Sequence, residues 1–322
     1  MSRWPELVAL AGGDDKVKHL VRDGIYRRVL RNAYVLADVP DDARTRLAAL
    51  SAVVPPGVVV SHWAALWAHG LDVLQRDAAG VDLIDLTTGR GRRLADRHGL
   101  RRHSALVGDE DLCEHDGLLI VSAARAFVDV ARTYGLIEGV ACGDVALRAG
   151  LTTLDRIEQS VDRAGGLRGV TRARAGIGQL EPRSESLMES RLRVGFVLAG
   201  GPRMPAQIDL YDDMGVHRGR ADLYLDGVAV EYDGREERLL KPRFAHDRQR
   251  GNGLADLEVE VRRFSANDVY RRSAQSRLRT LTSALEIARR RTRPRLRFGQ
   301  DTLRAPKLRP LATRAQRVDR AA

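Results

Sequence analysis

Along residues 220–234, apolar and polar positions alternate on both sides of Asp226-Gly227. This period of two predicts a pair of strands joined by a two-residue turn. With those residues as the turn, Leu225 faces Val228, Leu223 faces Val230 and Asp222 faces Glu231. Strict alternation then gathers Ala221, Leu223, Leu225, Val228, Val230 and Tyr232 on an apolar face, with Asp222, Glu231 and Asp233 on the opposite one.

The first forty residues follow a different rhythm. The pattern predicts a short helix over Glu6–Ala11, a turn at Gly12-Gly13-Asp14-Asp15 and a second helix over Lys16–Arg22 closed by Gly24. A hairpin follows, with Tyr26–Leu30 leading through Arg31-Asn32 into Ala33–Leu36. Helix, turn, helix and basic hairpin describe a winged helix. In that arrangement the second helix enters the major groove of DNA and the hairpin meets phosphates. Candidate contacts are Lys16, Lys18, His19 and Arg22 on the helix and Arg27, Arg28 and Arg31 on the wing. The same pattern also fits a small α+β subdomain with ordinary surface charge.

Residues 41–180 read as a mixed region. Helices are expected over Asp41–Val53, Ser61–Gly70, Ser122–Tyr134, Ile137–Arg148, Thr153–Asp162 and Arg168–Gln179, and strands over Val81–Thr87 and Leu100–Ala105. Gly89–Arg93 is a basic loop without the Gly-Lys-Ser/Thr ending of a phosphate loop. The predicted fold class is a multidomain α+β and α/β chain. Its parts are a winged helix at 1–39, a mixed middle domain at 40–180, an α/β domain at 181–290 and a basic, disordered tail at 291–322.

Charge sharpens this division. The chain of 322 residues carries a formal charge of +11, yet residues 289–322 alone hold eleven Arg and one Lys against two Asp. An arm of this kind attracts phosphate without reading sequence, or serves as a solubilising extension. With 43% hydrophobic residues the remainder can bury cores. Cys113 and Cys142 fit no disulfide or metal spacing, and the N-terminus lacks a signal-peptide core, so a cytoplasmic protein without a membrane segment is expected.

Three carboxylates on one patch of sheet repel one another unless neutralised. A divalent cation with hard oxygen ligands, Mg²⁺ or Mn²⁺, resolves that conflict, while a solvated acidic edge is the ordinary alternative. His62 and His69 flank Trp63 and Trp67 on one helix; their seven-residue spacing admits metal ligation, and a packed aromatic face is the stronger reading. His98 and His103 lack acidic or cysteine companions at ligand spacing and are assigned no chemistry.

Five blocks give the C-terminal region a family likeness. These are Ser186–Arg193, Arg220–Leu223, Val230–Gly234, Phe244–Arg250 and Val261–Phe264. Together they resemble the very-short-patch-repair-like branch of the PD-(D/E)xK nucleases, with a restriction-endonuclease-like α/β fold. The resemblance implies Asp222 and Glu231 as metal ligands, Asp233 where such enzymes often carry lysine, and Glu189 as a helix-borne catalytic acid. Ser186 and Glu189 also fit a capping box ahead of Leu192, Val194 and Phe196. Where relatives carry histidine after Asp-Gly, this chain reads Gly234-Arg235-Glu236-Glu237-Arg238, and His246 lies on an amphipathic stretch over Arg243–Leu257.

The segments Leu20–Gly24, Asn32–Leu36, Ser61–Leu71, His103 and Val121–Arg132 resemble AbiEi-type abortive-infection antitoxins. That resemblance implies operator-DNA binding, autorepression and a cognate toxin as partner. Relatives carry a further helix before the equivalent of Pro5, so the expected winged helix is either trimmed or begins upstream. Two functions follow as expectations: a DNA-targeted, metal-dependent endonuclease in phage defence or repair, and a noncatalytic repressor or antitoxin with a degenerate nuclease fold.

Overall fold

The structure is a computed structural model that describes residues 1–76, 79–89, 99–233, 257–270, 273–290 and 297–298. Its helices and three sheets form two compact units, one of residues 1–133 with 150–170 and the other of 134–149 with 171–322. These limits differ from the expected division at 180. The helix over Leu136–Arg148 belongs to the second unit because a buried carboxylate on it, Asp144, is held by Arg193 and Ser190 of a later helix.

The first unit begins with α1 (Trp4–Ala11), α2 (Asp14–Arg22) and the antiparallel pair β1 (Tyr26–Leu30) and β2 (Ala33–Leu36). Pro5 stands in the first turn of α1, and Glu6 closes that turn by accepting from Arg3 N at 2.8 Å. The second helix starts earlier than the pattern implied. Asp14 and Asp15, expected in the turn, form its first turn, where carboxylates favour the positive end of the helix dipole. Asn32 takes φ +66° at the hairpin tip, as a tight turn requires, and its side chain accepts from Trp4 N at 3.0 Å. Trp4 Nε1 also donates to Asp14 at 2.6 Å, so one aromatic residue ties both helices to the hairpin.

The rest of this unit is a five-stranded sheet with flanking helices. Its strands are β3 (Val59–Val60), β4 (Ile84–Thr88), β5 (Leu100–Ser104), β6 (Leu112–His115) and β7 (Leu118–Val121), in the order β5-β4-β3-β7-β6. Strands β4 and β5 run parallel, as do β3 and β7. Neither β3 nor the β6–β7 hairpin was anticipated from the pattern. Two residues give β3 no measurable period, and Leu118–Val121 is uniformly apolar. The helices are α3 (Ala43–Val53), α4 (His62–Ala68), α5 (Ala123–Tyr134, its last residue in the other unit) and α7 (Leu154–Arg163). Asp42 caps α3 by accepting from Thr45 N at 2.8 Å, a contact worth about 1 kcal/mol.

The second unit holds α6 (Leu136–Arg148), most of α8 (Val170–Ile177), α9 (Leu187–Leu198), α10 (Ala266–Tyr270) and α11 (Ala274–Arg290). Its sheet joins β8 (Ala206–Tyr211), β9 (His217–Leu225), β10 (Val228–Tyr232), β11 (Glu260–Phe264) and β12 (Arg297–Phe298) in the order β11-β10-β9-β8-β12. Strands β8, β9 and β10 form an antiparallel meander, and β11 lies parallel to β10. The Asp226-Gly227 turn is as expected, with both residues at positive φ and Leu225 opposite Val228.

The faces of this hairpin depart from strict alternation. Leu223, Val228 and Val230 pack with Leu192, Phe196 and Phe264, whereas Ala221 joins Tyr224, Ala229 and Leu257 in a separate cluster. The change of face occurs at Asp222. Across the ladder from it Gln207 adopts φ +55°, while Ala206 pairs Leu223 and Ile208 pairs Ala221. Apolar side chains therefore cover both faces of the sheet.

The tail also differs from expectation at its start. Arg289 and Arg290 close α11, and Arg297–Phe298 pairs with Leu210 and Tyr211 as β12. The other residues of the expected tail lie outside the described residues, as do Gly234–Arg250 with His246, Arg90–Arg93 and His98. Among the described residues, no helix is long and apolar enough to cross a membrane.

Candidate functional site

In the second unit, α9 begins at Ser186, whose hydroxyl accepts from Glu189 N at 3.1 Å. Glu189 returns the cap one residue early, its Oε2 accepting from Glu185 N at 2.8 Å. The same oxygen accepts from Gln207 Nε2 at 2.9 Å, and that amide reaches Asp222 Oδ1 at 3.5 Å. Glu189 thus takes part in the helix cap and shares the Gln207 amide with Asp222. Burial, reinforced by the charge of Asp222, pushes its carboxyl up to about 7.

The expected grouping of Asp222, Glu231 and Asp233 at ligand spacing does not form. Asp222 Oδ2 accepts from Tyr232 N at 2.8 Å, because the β9–β10 ladder ends at the Leu223–Val230 pair and leaves that amide to a side chain. Glu231 turns to its register partner across the parallel pair, accepting from Arg263 Nε at 3.1 Å. Asp233 is half-buried, and its backbone N donates to Phe264 O at 2.8 Å. The structure therefore brings Asp222 to Glu189.

The arginines of the Ser186–Arg193 block have structural duties. Arg191 makes a two-pronged contact with Glu138 at 2.8 Å, and Arg193 lies on Asp144 at 2.7 Å with both side chains essentially inaccessible. Asp144 also accepts from Ser190 Oγ at 2.7 Å and Glu181 N at 2.6 Å. Burial raises its carboxyl to about 6 against the opposing pull of Arg193.

The proposed DNA contacts of the first unit are at the surface to different degrees. Lys16, Lys18, His19 and Arg22 are exposed on α2, with Val17 buried beneath them. Lys18 is held by Asp14 at 2.7 Å and Asp15 at 2.9 Å, while Arg22 lies against His19 and Asp23. On the hairpin Arg28 and Arg31 are exposed, but Arg27 is half-buried and donates to Val39 O at 2.7 Å. Arg27 consequently fastens the hairpin to the chain that follows it.

A constellation absent from the sequence reading occupies the same unit. His62, Asp85 and His103 each offer a ligand atom within 4.8 Å of the others, the one group of three or more such side chains among the described residues. His103 Nε2 lies 2.8 Å from Asp85 Oδ1, and its ring stacks on that of His62 at 3.8 Å. His62 Nδ1 contacts Ser61 Oγ at 2.8 Å, and its Nε2 contacts Thr133 Oγ1 at 3.1 Å. Burial, with His103 and the Arg132, Arg125 and Arg101 charges, holds His62 well below the usual histidine range. The expectation that His103 lacks an acidic companion is overturned. Parallel register sets Asp85 opposite Arg101 and Thr87 opposite His103, so Asp85 and His103 are diagonal neighbours on one face. The signal was present only as a buried acid on one strand and a histidine on the next. His69, by contrast, hydrogen-bonds Val121 O at 2.9 Å and belongs to the packed helix face.

Compared with known proteins, the chain matches no family model, and no curated protein matches it.

Proposed function

We propose that this protein binds DNA and that its second unit is a metal-dependent, endonuclease-like module. The observation that carries this reading is the meeting of Glu189 and Asp222. A largely buried carboxyl is held beside a second carboxylate, with its proton affinity raised first by burial and then by that neighbour. Such a pair costs stability in the charged state, and a hard cation offsets the cost. Mg²⁺ or Mn²⁺ taken by Asp222 and Glu189, with Glu231 or Asp233 completing the shell after release from present contacts, would polarise a phosphodiester and activate water.

Four of the five blocks behind the nuclease resemblance fall on α9, β9, β10 and β11, neighbouring elements of one unit. The fifth, Phe244–Arg250, lies outside the described residues. DNA recognition is assigned to the helix–helix–hairpin, with Lys16, Lys18, His19 and Arg22 facing the groove and Arg28 and Arg31 the phosphates. A winged helix of this kind targets the cleavage and accounts for the likeness to AbiEi-type antitoxins.

Two contacts favour the noncatalytic repressor instead. Glu231 is already neutralised by Arg263, and Asp222 already accepts the Tyr232 amide. Calorimetric titration with Mn²⁺ beside a plasmid-cleavage assay separates the two. Binding and cleavage that are both lost in Glu189→Gln and Asp222→Asn establish the enzyme. Metal binding without cleavage indicates a degenerate fold used for DNA binding, as in a repressor paired with a toxin, and an absence of metal binding removes the acidic metal site.

A further inference from the structure

We propose that His62, Asp85 and His103 form a binding site for one divalent transition-metal ion of the Zn²⁺ class, separate from the acidic site of the second unit. Two imidazoles and a carboxylate are a donor set suited to such ions, whereas Mg²⁺ prefers oxygen ligands alone. The three side chains come from three different elements. His62 opens α4, Asp85 sits on β4 and His103 on β5.

The surroundings are built to hold these ligands. His62 takes φ +54°, a conformation uncommon outside glycine, which turns its ring into the sheet where it stacks on His103. Its two ring nitrogens meet the hydroxyls of Ser61 and Thr133. On ligation one hydroxyl is displaced and the other remains to orient the ring, the usual task of an outer-shell partner. Ser61 is itself fixed by Thr87 Oγ1 at 2.8 Å and by Asp85 O. The nearby guanidiniums of Arg125 and Arg132 are balanced by Asp129, at 3.1 and 3.3 Å, and Arg101 stands 4.0 Å from Asp85.

Loading needs a small adjustment. Two bonds of about 2.0 Å at a tetrahedral angle separate their donors by about 3.3 Å. The His103–Asp85 contact of 2.8 Å must therefore open by roughly half an ångström, and the stacked rings must splay so that each lone pair meets the ion. His103 is the ligand placed to move. It lies on the edge strand β5 and is 15% exposed, against none for Asp85. That edge is also the entry path, and a water completes the shell.

The test uses the full chain stripped of metal by chelation, titrated with Zn²⁺ by calorimetry and with Co²⁺ by visible absorption. One saturable site is expected, with Co²⁺ bands of tetrahedral intensity and a raised Tm on Zn²⁺ addition. His103→Ala and Asp85→Asn should weaken Zn²⁺ binding by more than the roughly 10–100-fold that follows loss of an outer-shell partner. His115→Ala combined with His217→Ala should leave it intact, as should Glu189→Gln combined with Asp222→Asn. The last pair makes failure of this site distinguishable from failure of the acidic one. No saturable Zn²⁺ binding by the folded wild type, Co²⁺ bands of octahedral intensity only, or binding indifferent to His103→Ala would overturn the proposal.

Discussion

Glu189 and Asp222 are joined by one side-chain amide: Gln207 Nε2 stands 2.9 Å from the first carboxylate and 3.5 Å from the second. Gln207 reaches both because it departs from regular strand geometry, at φ +55°. Conformations of that kind cost about 1–3 kcal/mol and persist where surrounding contacts fix them. The amide lies between the two carboxyls without neutralising either, and burial together with the charge of Asp222 raises the proton affinity of Glu189 against the pull of that hydrogen bond.

The Glu189 carboxyl is raised from an ordinary 4.5 to about 7 in the folded protein. Between those values the native state keeps a proton that the unfolded chain releases, so stability falls as pH rises through the window and levels off above it. Glu189→Gln removes this dependence. Measured by urea denaturation from pH 4 to pH 8, the variant should gain on the wild type by about 3 kcal/mol across the window. Asp144, raised to about 6, adds a slope of the same sign to both proteins and cancels in the difference. A flat difference would show that Glu189 titrates normally.

Asp144→Ala should destabilise the second unit by about 3–5 kcal/mol, since it leaves a buried guanidinium without its carboxylate. Arg193 is essentially inaccessible, and Ser190 and Glu181 N lose the same acceptor. Far-UV circular dichroism is the suitable probe, because Trp4, Trp63 and Trp67 all lie in the first unit. A midpoint unchanged in urea would mean that the pair contributes no net stability.

On the hairpin, Arg28→Ala with Arg31→Ala should weaken DNA binding and flatten its salt dependence by roughly 0.9 per lost phosphate contact in the slope of log K against log salt. Arg27→Ala should instead lower Tm, because its guanidinium holds Val39 O. An unaltered slope in the folded double variant would remove the hairpin from the DNA interface.

Truncation after Phe298 keeps β12 and deletes five Arg, one Lys and two Asp. Affinity for DNA should fall by a similar factor for every sequence, with the ranking of sites preserved, as screened charge attraction requires. Loss of preference for one sequence, seen by competition binding, would place the tail in specific readout.

Local patterns in the sequence were sufficient for the elements whose signals are local. The Asp226-Gly227 hairpin, Asn32 at the β1–β2 turn, the cap at Ser186, and most helices from α3 to α9 follow from period, turn chemistry and capping. The meeting of Glu189 with Asp222 was partly legible, through the resemblance that marked both. Tertiary structure decided how each acid is partnered. Where the β9–β10 ladder stops, Asp222 goes to an orphaned amide, and parallel pairing delivers Arg263 to Glu231. Strand order and register decided the His62, Asp85 and His103 constellation in the same way. Its members lie 23, 18 and 41 residues apart in sequence, and only the pairing of β4 with β5 beneath α4 makes them neighbours. Capping and turn formation act within a few residues and leave a local trace, whereas ligand geometry depends on contacts between distant segments, which no local period encodes.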